Sequence, residues 1–333
     1  MTTLITGATG FIGGHLVKEL VRRGEVIRVL VRKTSDTSKL QALGVEQAYG
    51  DISDKESVTA ALKGCERLYQ VAAVYEWWLP DRQRYYQVNV DGTKNVLAAA
   101  LDAGVSRVVY TSTVETIGEA KGEKKTETTP HRGYHLSDYS KSKYLAEQEA
   151  MKFCQMGLPI VCVNPSAVYG PGDFKDQAVG KAILDFLNGK LPGQFGSYIN
   201  FVYIDDVVKG HILAMEKGKV GERYILAGDE DTLIKDFINL AAEVSGVTKI
   251  PKELPAWLVR VMAFVLETTS ALTRKPPMLA RDIVSFRLYG MRADNTKART
   301  ELGMVFTPLR EGLARTIQWY RDNGYAKPLS AKK

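Results

Sequence analysis

The sequence predicts an α/β fold, a doubly wound parallel sheet with a smaller, mostly helical C-terminal lobe. Three observations predict it. Short apolar runs alternate with amphipathic stretches through the first half of the chain. A glycine-rich turn joins the first run to the first amphipathic stretch. Beyond Pro165 the alternation loosens, broken by Gly170-Pro171-Gly172 and again by Pro192-Gly193.

The elements follow in order. Thr3 to Thr6 reads as a strand, and Phe11 to Arg23 as a helix with Ile12, Leu16 and Leu20 at helical spacing, closed by Gly24. Val26 to Val31 is apolar almost throughout, as a strand covered on both faces requires. Strands are expected at Val45–Tyr49, Leu68–Ala72, Val105–Ser112 and Pro159–Val163. Helices are expected at Asp54–Leu62, Tyr85–Ala103 and Ser140–Met156. Ile199–Ile204 and Arg223–Leu226 read as strands returning to the sheet. The domain expectation is a nucleotide-binding domain over residues 1–165 with returns near 199–228. Residues 166–198 and 229–330 then form the substrate lobe.

Composition narrows the function classes. The 333 residues are 45% hydrophobic and 25% charged, a soluble globular balance, and the net charge of +7 is modest for that length. The Ala331-Lys332-Lys333 tail is the single dense basic run, so no nucleic-acid partner is expected. Cys65, Cys154 and Cys162 are odd in number and far apart, which fits neither a disulfide framework nor a metal site. Trp257 to Leu272 is strongly apolar but carries Arg260 and Glu267. It reads as an amphipathic helix over the substrate side rather than a membrane span. No targeting segment is visible, and a cytoplasmic location is expected.

The turn is Thr6-Gly7-Ala8-Thr9-Gly10-Phe11-Ile12-Gly13. Gly7 permits the tight bend, Gly10 lets backbone approach a pyrophosphate, and Gly13 lets helix and strand pack closely. The helix start adds free N–H groups and a positive dipole end. Gly7, Thr9, Gly10, Phe11, Ile12 and Gly13 are therefore candidate cofactor contacts. The second strand ends Val31-Arg32-Lys33-Thr34-Ser35, with no carboxylate before Asp36 to grip a ribose 2′-hydroxyl. Arg32 and Lys33 suit a 2′-phosphate instead, so NADP(H) is expected over NAD(H).

Tyr139 and Lys143 stand four residues apart, on one face of a helix. A phenol is a poor acid or base near neutrality, and a neighbouring ammonium is expected to lower its pKa. The strand ending Tyr110-Thr111-Ser112-Thr113 offers hydroxyls to hold a substrate oxygen.

These pieces together resemble the extended short-chain dehydrogenases/reductases, over nearly the whole chain. The resemblance rests on TGATGFIG at the start, GDISD at Gly50, NVDGTKNVL at Asn89, YTSTVETIG at Tyr110, YSKSK at Tyr139, NPSAVYGPGD at Asn164 and FVYIDDVVKGHI at Phe201. It implies a Rossmann domain and a Thr113–Tyr139–Lys143 centre, with Ser112 the neighbouring alternative to Thr113 and Asn89 supporting the active-site helix. It also implies adenine contacts from Asp51 and Ile52, and cofactor contacts from Ala72, Ala73 and Thr111. Pro165, Ser166 and Val168 would border the nicotinamide. The family further implies a homodimer through the two long helices, and no metal. Gln70 stands where many members have His, and Thr113 where many have Ser; both keep hydrogen-bonding ability.

Within that family the chain is similar to dihydroflavonol reductase-like enzymes and to hopanoid-associated sugar epimerases. Ile199-Asn200 replaces the Arg-Asp pair that nucleotide-sugar enzymes often carry. Tyr75, Trp77 and Trp78 lie near the exit of the fourth strand, and with Tyr169 are candidate substrate contacts. A carbonyl or alcohol substrate is expected, with a sugar epimerase or dehydratase, or a non-catalytic redox sensor, as the alternatives.

Overall fold

The computed structural model describes residues 1–118, 121–173 and 178–327; the basic tail at Ala331 and the lobe's expected end at residue 330 lie outside them. Twelve strands are present among these residues: β1 (Thr2–Thr6), β2 (Val26–Val31), β3 (Glu46–Tyr49), β4 (Cys65–Gln70), β5 (Arg107–Thr111), β6 (Lys124–Lys125), β7 (Ile160–Pro165), β8 (Ala167–Tyr169), β9 (Tyr198–Tyr203), β10 (Arg223–Leu226), β11 (Asp231–Leu233) and β12 (Arg292–Ala293).

Seven of them form one parallel sheet in the order β10-β7-β5-β4-β1-β2-β3. The chain builds outward from β1 through β2 and β3, then returns to β4 on its other side. That reversal opens a crevice at the carboxyl ends of β1 and β4, where open α/β sheets bind ligands. Burial explains the strand sequences. Ile160, Val161, Cys162 and Val163 on β7 are fully buried, as are Leu4 and Ile5 on β1. The edge strand β3 reads Glu-Gln-Ala-Tyr and carries no fully buried residue.

Helices cover both faces. Phe11–Arg22 buries Leu16, Val17 and Leu20 on one side, next to the helix Ile204–Lys217. The other face carries Lys55–Leu62, the run Gln83–Asp102, and Asp138–Gln155. Asp54 caps Lys55–Leu62, its carboxylate accepting from the Glu56 N–H at 3.1 Å. The expected long helix after β4 is present, but residues Gln87–Asp91 widen into a π-turn. Such turns re-aim a side chain inside a helix and cluster at functional sites; here the residue re-aimed is Asn89.

The expectation that both late strands return to the main sheet is half corrected. β10 joins β7, with Arg223 opposite Cys162. β9 instead pairs with β8 and β11 in a separate three-stranded sheet. The edge of β7 is already taken by β10, and the chain leaves the main sheet at Ser166. Asn200 then fixes β9 in the lobe: its amide donates to the Gly228 carbonyl at 3.0 Å, and its oxygen accepts from the Ser166 hydroxyl at 2.9 Å. Phe201 stacks on Phe237 with ring centroids 4.2 Å apart.

The helix Ala256–Thr273 forms where the apolar stretch suggests it. Val259 and Ala263 are buried against Phe195 and Val284, while Trp257, Val261, Phe264 and Val265 are exposed. No helix among the described residues is long and apolar enough to cross a membrane. Glu267 is buried on this helix and meets Arg82 at 3.3 Å and Arg281 at 3.0 Å, tying the lobe to the sheet domain.

Candidate active site

A cleft of about 790 Å³ runs from the glycine-rich turn, past the ends of β1, β4 and β5, to the underside of the lobe. The turn fits a pyrophosphate for stated steric reasons. Gly7 has φ 73°, and a Cβ there would meet the Ala72 backbone at 2.7 Å. A Cβ on Gly13 would sit 2.2 Å from the Gly7 carbonyl oxygen. Gly10 donates to that same carbonyl at 3.0 Å and closes the turn. Phe11, Ile12 and Gly13 then open the helix with N–H groups that an α-helix cannot satisfy internally. Thr9 borders the cleft beside them.

The same cleft takes in Arg32, Asp51, Ile52, Ala72 and Ala73. Ser35 faces it too, one turn beyond Arg32, whose carbonyl accepts from the Ser35 N–H at 3.0 Å. Lys33, in the turn after β2, is exposed and does not line the cleft; of the two expected cations, Arg32 alone is brought to it. The Thr6 hydroxyl donates to Gln70 at 2.5 Å and accepts from the Val71 and Ala72 N–H groups at 3.1 Å each. Gln70 thus shapes the exit of β4 by hydrogen bonding.

Tyr139 and Lys143 sit in the first two turns of Asp138–Gln155. Ser137 caps this helix, its hydroxyl accepting from the Ser140 N–H at 3.0 Å. Arg82 meets the Asp138 carboxylate at 2.7 Å, and the Tyr86 hydroxyl donates to it at 2.7 Å. Asn89, in the π-turn, donates to the Ser142 hydroxyl at 2.9 Å and accepts from the Val74 N–H at 2.8 Å. It therefore joins the active helix to the segment leaving β4. Lys143 donates to the Thr111 carbonyl at 2.7 Å. The Thr111 hydroxyl is 2.8 Å from His211 Nε2, and Val207 O is 2.7 Å from Nδ1. Burial lowers His211 to about 4, so its ring is neutral at pH 7.

Tyr139 and Thr113 are both buried at the cleft wall. Ser112 lines the cleft too, but its hydroxyl points to Thr116 at 3.5 Å. The Tyr139 phenol is held well above the ordinary tyrosine range, first by burial, then by the charge of Glu115. This corrects the expectation of a lowered pKa. Lys143 spends its ammonium on the Thr111 carbonyl and lies over the Tyr110 ring at 5.0 Å, so burial outweighs it at the phenol. Burial also lowers Lys143 to about 8, opposed by Glu147 one turn along. Glu147 is fully buried and meets Arg223 at 2.9 Å.

Glu115 was not singled out by sequence reasoning. It lines the cleft, is buried, and accepts from the Ser140 hydroxyl. The one sequence signal for it is an acid two residues beyond the hydroxyl cluster.

At the substrate end, Tyr75 packs edge-on to Tyr139 with centroids 5.0 Å apart, and Trp77 packs on Phe286 at 5.2 Å. Pro165, Ser166 and Val168 border the same space. Two expected contacts are corrected. Trp78 is half-buried but does not line the cleft, unlike Trp77. Tyr169 lies in the core between Phe201 and Tyr203, its hydroxyl donating to the Leu309 carbonyl at 3.3 Å. No cluster of three potential metal ligands occurs among the described residues.

Comparison with known proteins agrees with this geometry. Residues 3–227 match the NAD dependent epimerase/dehydratase family. A putative dihydroflavonol 4-reductase from Synechocystis is 36% identical over 97% of this chain and 95% of its own length. Sterol demethylase protein B from Methylococcus capsulatus is also 36% identical, over 97% of this chain and 99% of its own. Among solved structures, that of gox2253 superposes with a TM-score of 0.84 at 38% identity, covering 98% of this chain and 99% of that one. With the glycine turn, the Rossmann sheet and the Tyr139–Lys143 helix in place, the chain belongs to the NAD-dependent epimerase/dehydratase family of extended short-chain dehydrogenases/reductases.

Proposed function

We propose that this enzyme is an NADP(H)-dependent carbonyl reductase, reducing a ketone or aldehyde on an apolar body. The observation that carries the reading is the state of Tyr139. Its buried phenol stands at the cleft wall, its ring 5.0 Å from that of Tyr75, where a protonated phenol can donate to a substrate oxygen in an aromatic-walled space.

The roles follow from placement. Phe11, Ile12 and Gly13 would receive the cofactor pyrophosphate, and Arg32 with Ser35 would meet the ribose 2′-phosphate. When bound, NADPH supplies the hydride to the carbonyl carbon. Tyr139 gives its proton to the carbonyl oxygen, and Thr113 orients that oxygen. Lys143 holds positive charge beneath the site through Thr111. Asn89 acts as a positioning residue, since it reaches Ser142 and Val74 rather than the cleft. Tyr75, Trp77 and Phe286 suit a ring or chain more than a polar sugar. The names of the two 36% relatives, a dihydroflavonol reductase and a sterol-processing protein, support an apolar body.

The test is NADPH oxidation by the purified enzyme across aromatic ketones, aldehydes and flavanonols, with NADH in parallel. Consumption that prefers NADPH supports the reading. Tight NADPH binding with product formation from a sugar and no net consumption replaces it with an epimerase.

A further inference from the structure

Several buried charges in this fold have close polar partners. Glu147 has Arg223, and Glu267 has Arg82 and Arg281. Asp206 accepts from the Thr307 N–H at 2.7 Å. Arg287, on the helix Arg281–Tyr289, lines the cleft and is half-buried. Among the described residues no carboxylate pairs with it. Its guanidinium lies over the Phe195 ring at 5.5 Å, and burial pulls its pKa down. A half-buried guanidinium that faces a cleft without a carboxylate partner is available to pair with an anionic ligand there.

Its surroundings say which ligand. Arg287 acts electrostatically on Tyr75, whose ring touches that of Tyr139. The preceding residue, Phe286, packs on Trp77, which also faces Tyr139 at 6.3 Å. The guanidinium therefore stands at the substrate end, within the same aromatic wall as the proton donor. Ile283, Leu191 and Val179 complete that end with apolar surface. The other cleft-lining cations belong to other elements: Arg32 follows β2, Arg84 is on the short helix Gln83–Tyr86, and Lys143 is held by the Thr111 carbonyl. One planar, forked cation in an apolar wall matches one planar, singly charged anion. A diphosphate would need more charge than Arg287 supplies.

We infer that Arg287 anchors a carboxylate of the substrate, so that the enzyme acts on an apolar keto acid rather than a neutral ketone. This rests on the carbonyl-reductase reading above. The anchor fixes which way the ketone enters, and so which face of its carbonyl meets the cofactor.

The experiment uses 3-acetylbenzoate, 4-acetylbenzoate and 4-oxo-4-phenylbutanoate, each against its methyl ester. NADPH oxidation is followed, and calorimetry of the NADP⁺-loaded protein gives binding separately. The expected result is a preference for acid over ester of about 10- to 100-fold in kcat/KM and in affinity. Arg287→Met should abolish that preference, and Arg287→Lys should keep part of it. The thermal midpoint of Arg287→Met should not fall, because no ion pair is lost and Met keeps the apolar stem; this separates the result from misfolding. Ester turnover without any acid preference overturns the carboxylate anchor and leaves the reductase reading standing. Arg287-dependent binding of the acids without turnover does the reverse. Absence of both binding and turnover for every acid overturns the anchor.

Discussion

The Lys143 ammonium donates to the main-chain oxygen of Thr111 at 2.7 Å, which pins a charge on the active helix to the last residue of a sheet strand. The Thr111 side chain is held in turn by His211 on a third element. Charge, strand end and helix are thus one unit, and the pH response of the site is expected to follow Lys143.

Burial brings Lys143 to about 8 from 10.5. The group is charged at pH 7 and discharges as pH rises through 8. Turnover should therefore fall above about pH 8, by about tenfold per unit once past it. Tyr139, displaced upward, stays protonated over this range. The stability effect has its own sign. Below pH 8 the folded protein carries a desolvated ammonium, and that cost disappears between 8 and 10.5. Lys143→Met should raise the thermal midpoint most below pH 8, and a pH series of melts would read this directly.

Tyr139→Phe removes the proton donor and leaves the ring that packs on Tyr75. Turnover is expected to drop about 10²- to 10⁴-fold, with NADPH affinity changed less than threefold, measured by titration of cofactor fluorescence. Full turnover in the variant would exclude Tyr139 as the acid.

Arg32 is the cation at the end of β2 that borders the cleft, whereas Lys33 does not. Arg32→Ala should weaken NADPH binding by about tenfold or more while leaving NADH unchanged, since the 2′-phosphate is the differing group. Lys33→Ala should alter neither. Parallel titrations of both cofactors decide it.

Gly13→Ala places a Cβ 2.2 Å from the Gly7 carbonyl oxygen, backbone against backbone. The turn must open, so NADPH binding should be lost and stability should fall by about 1–3 kcal/mol. Gly24→Ala meets no atom within 4 Å but has φ 76°. It should cost less stability and leave cofactor affinity intact, which makes it the matched control in urea titrations.

Asp173 is buried, and burial raises its carboxyl to about 7 from 3.8. An acid raised in the folded state favours folding below its unfolded pKa and loses that contribution as pH rises through the folded one. Asp173→Asn should therefore stabilise the protein above pH 7, by at most about 4 kcal/mol, and much less at pH 4. Melting midpoints between pH 4 and 8 give the slope; an identical slope in the variant would contradict the assignment.

Much of this was legible in the chain. The strand–helix alternation and the glycine turn are local, because each depends on residues adjacent in sequence. The Tyr139–Lys143 pair is local too, since helix geometry alone brings positions four apart together. Asn89 was legible as a motif residue, but the π-turn that aims it was not, because a hydrogen-bond slip leaves no composition signal.

The parallel sheet, the glycine turn and the Tyr139–Lys143 helix could be read from the chain alone. Only the tertiary structure decided which of two adjacent cations reaches the cofactor end, and that Trp77 faces the cleft while Trp78 does not. It also decided that Tyr169 belongs to the core, that burial and Glu115 push the Tyr139 phenol up, and that Arg287 faces the cleft with no carboxylate partner among the described residues. The physical reason is common to all of these. They depend on desolvation and on partners far away in sequence, and neither is encoded in any single window of the chain.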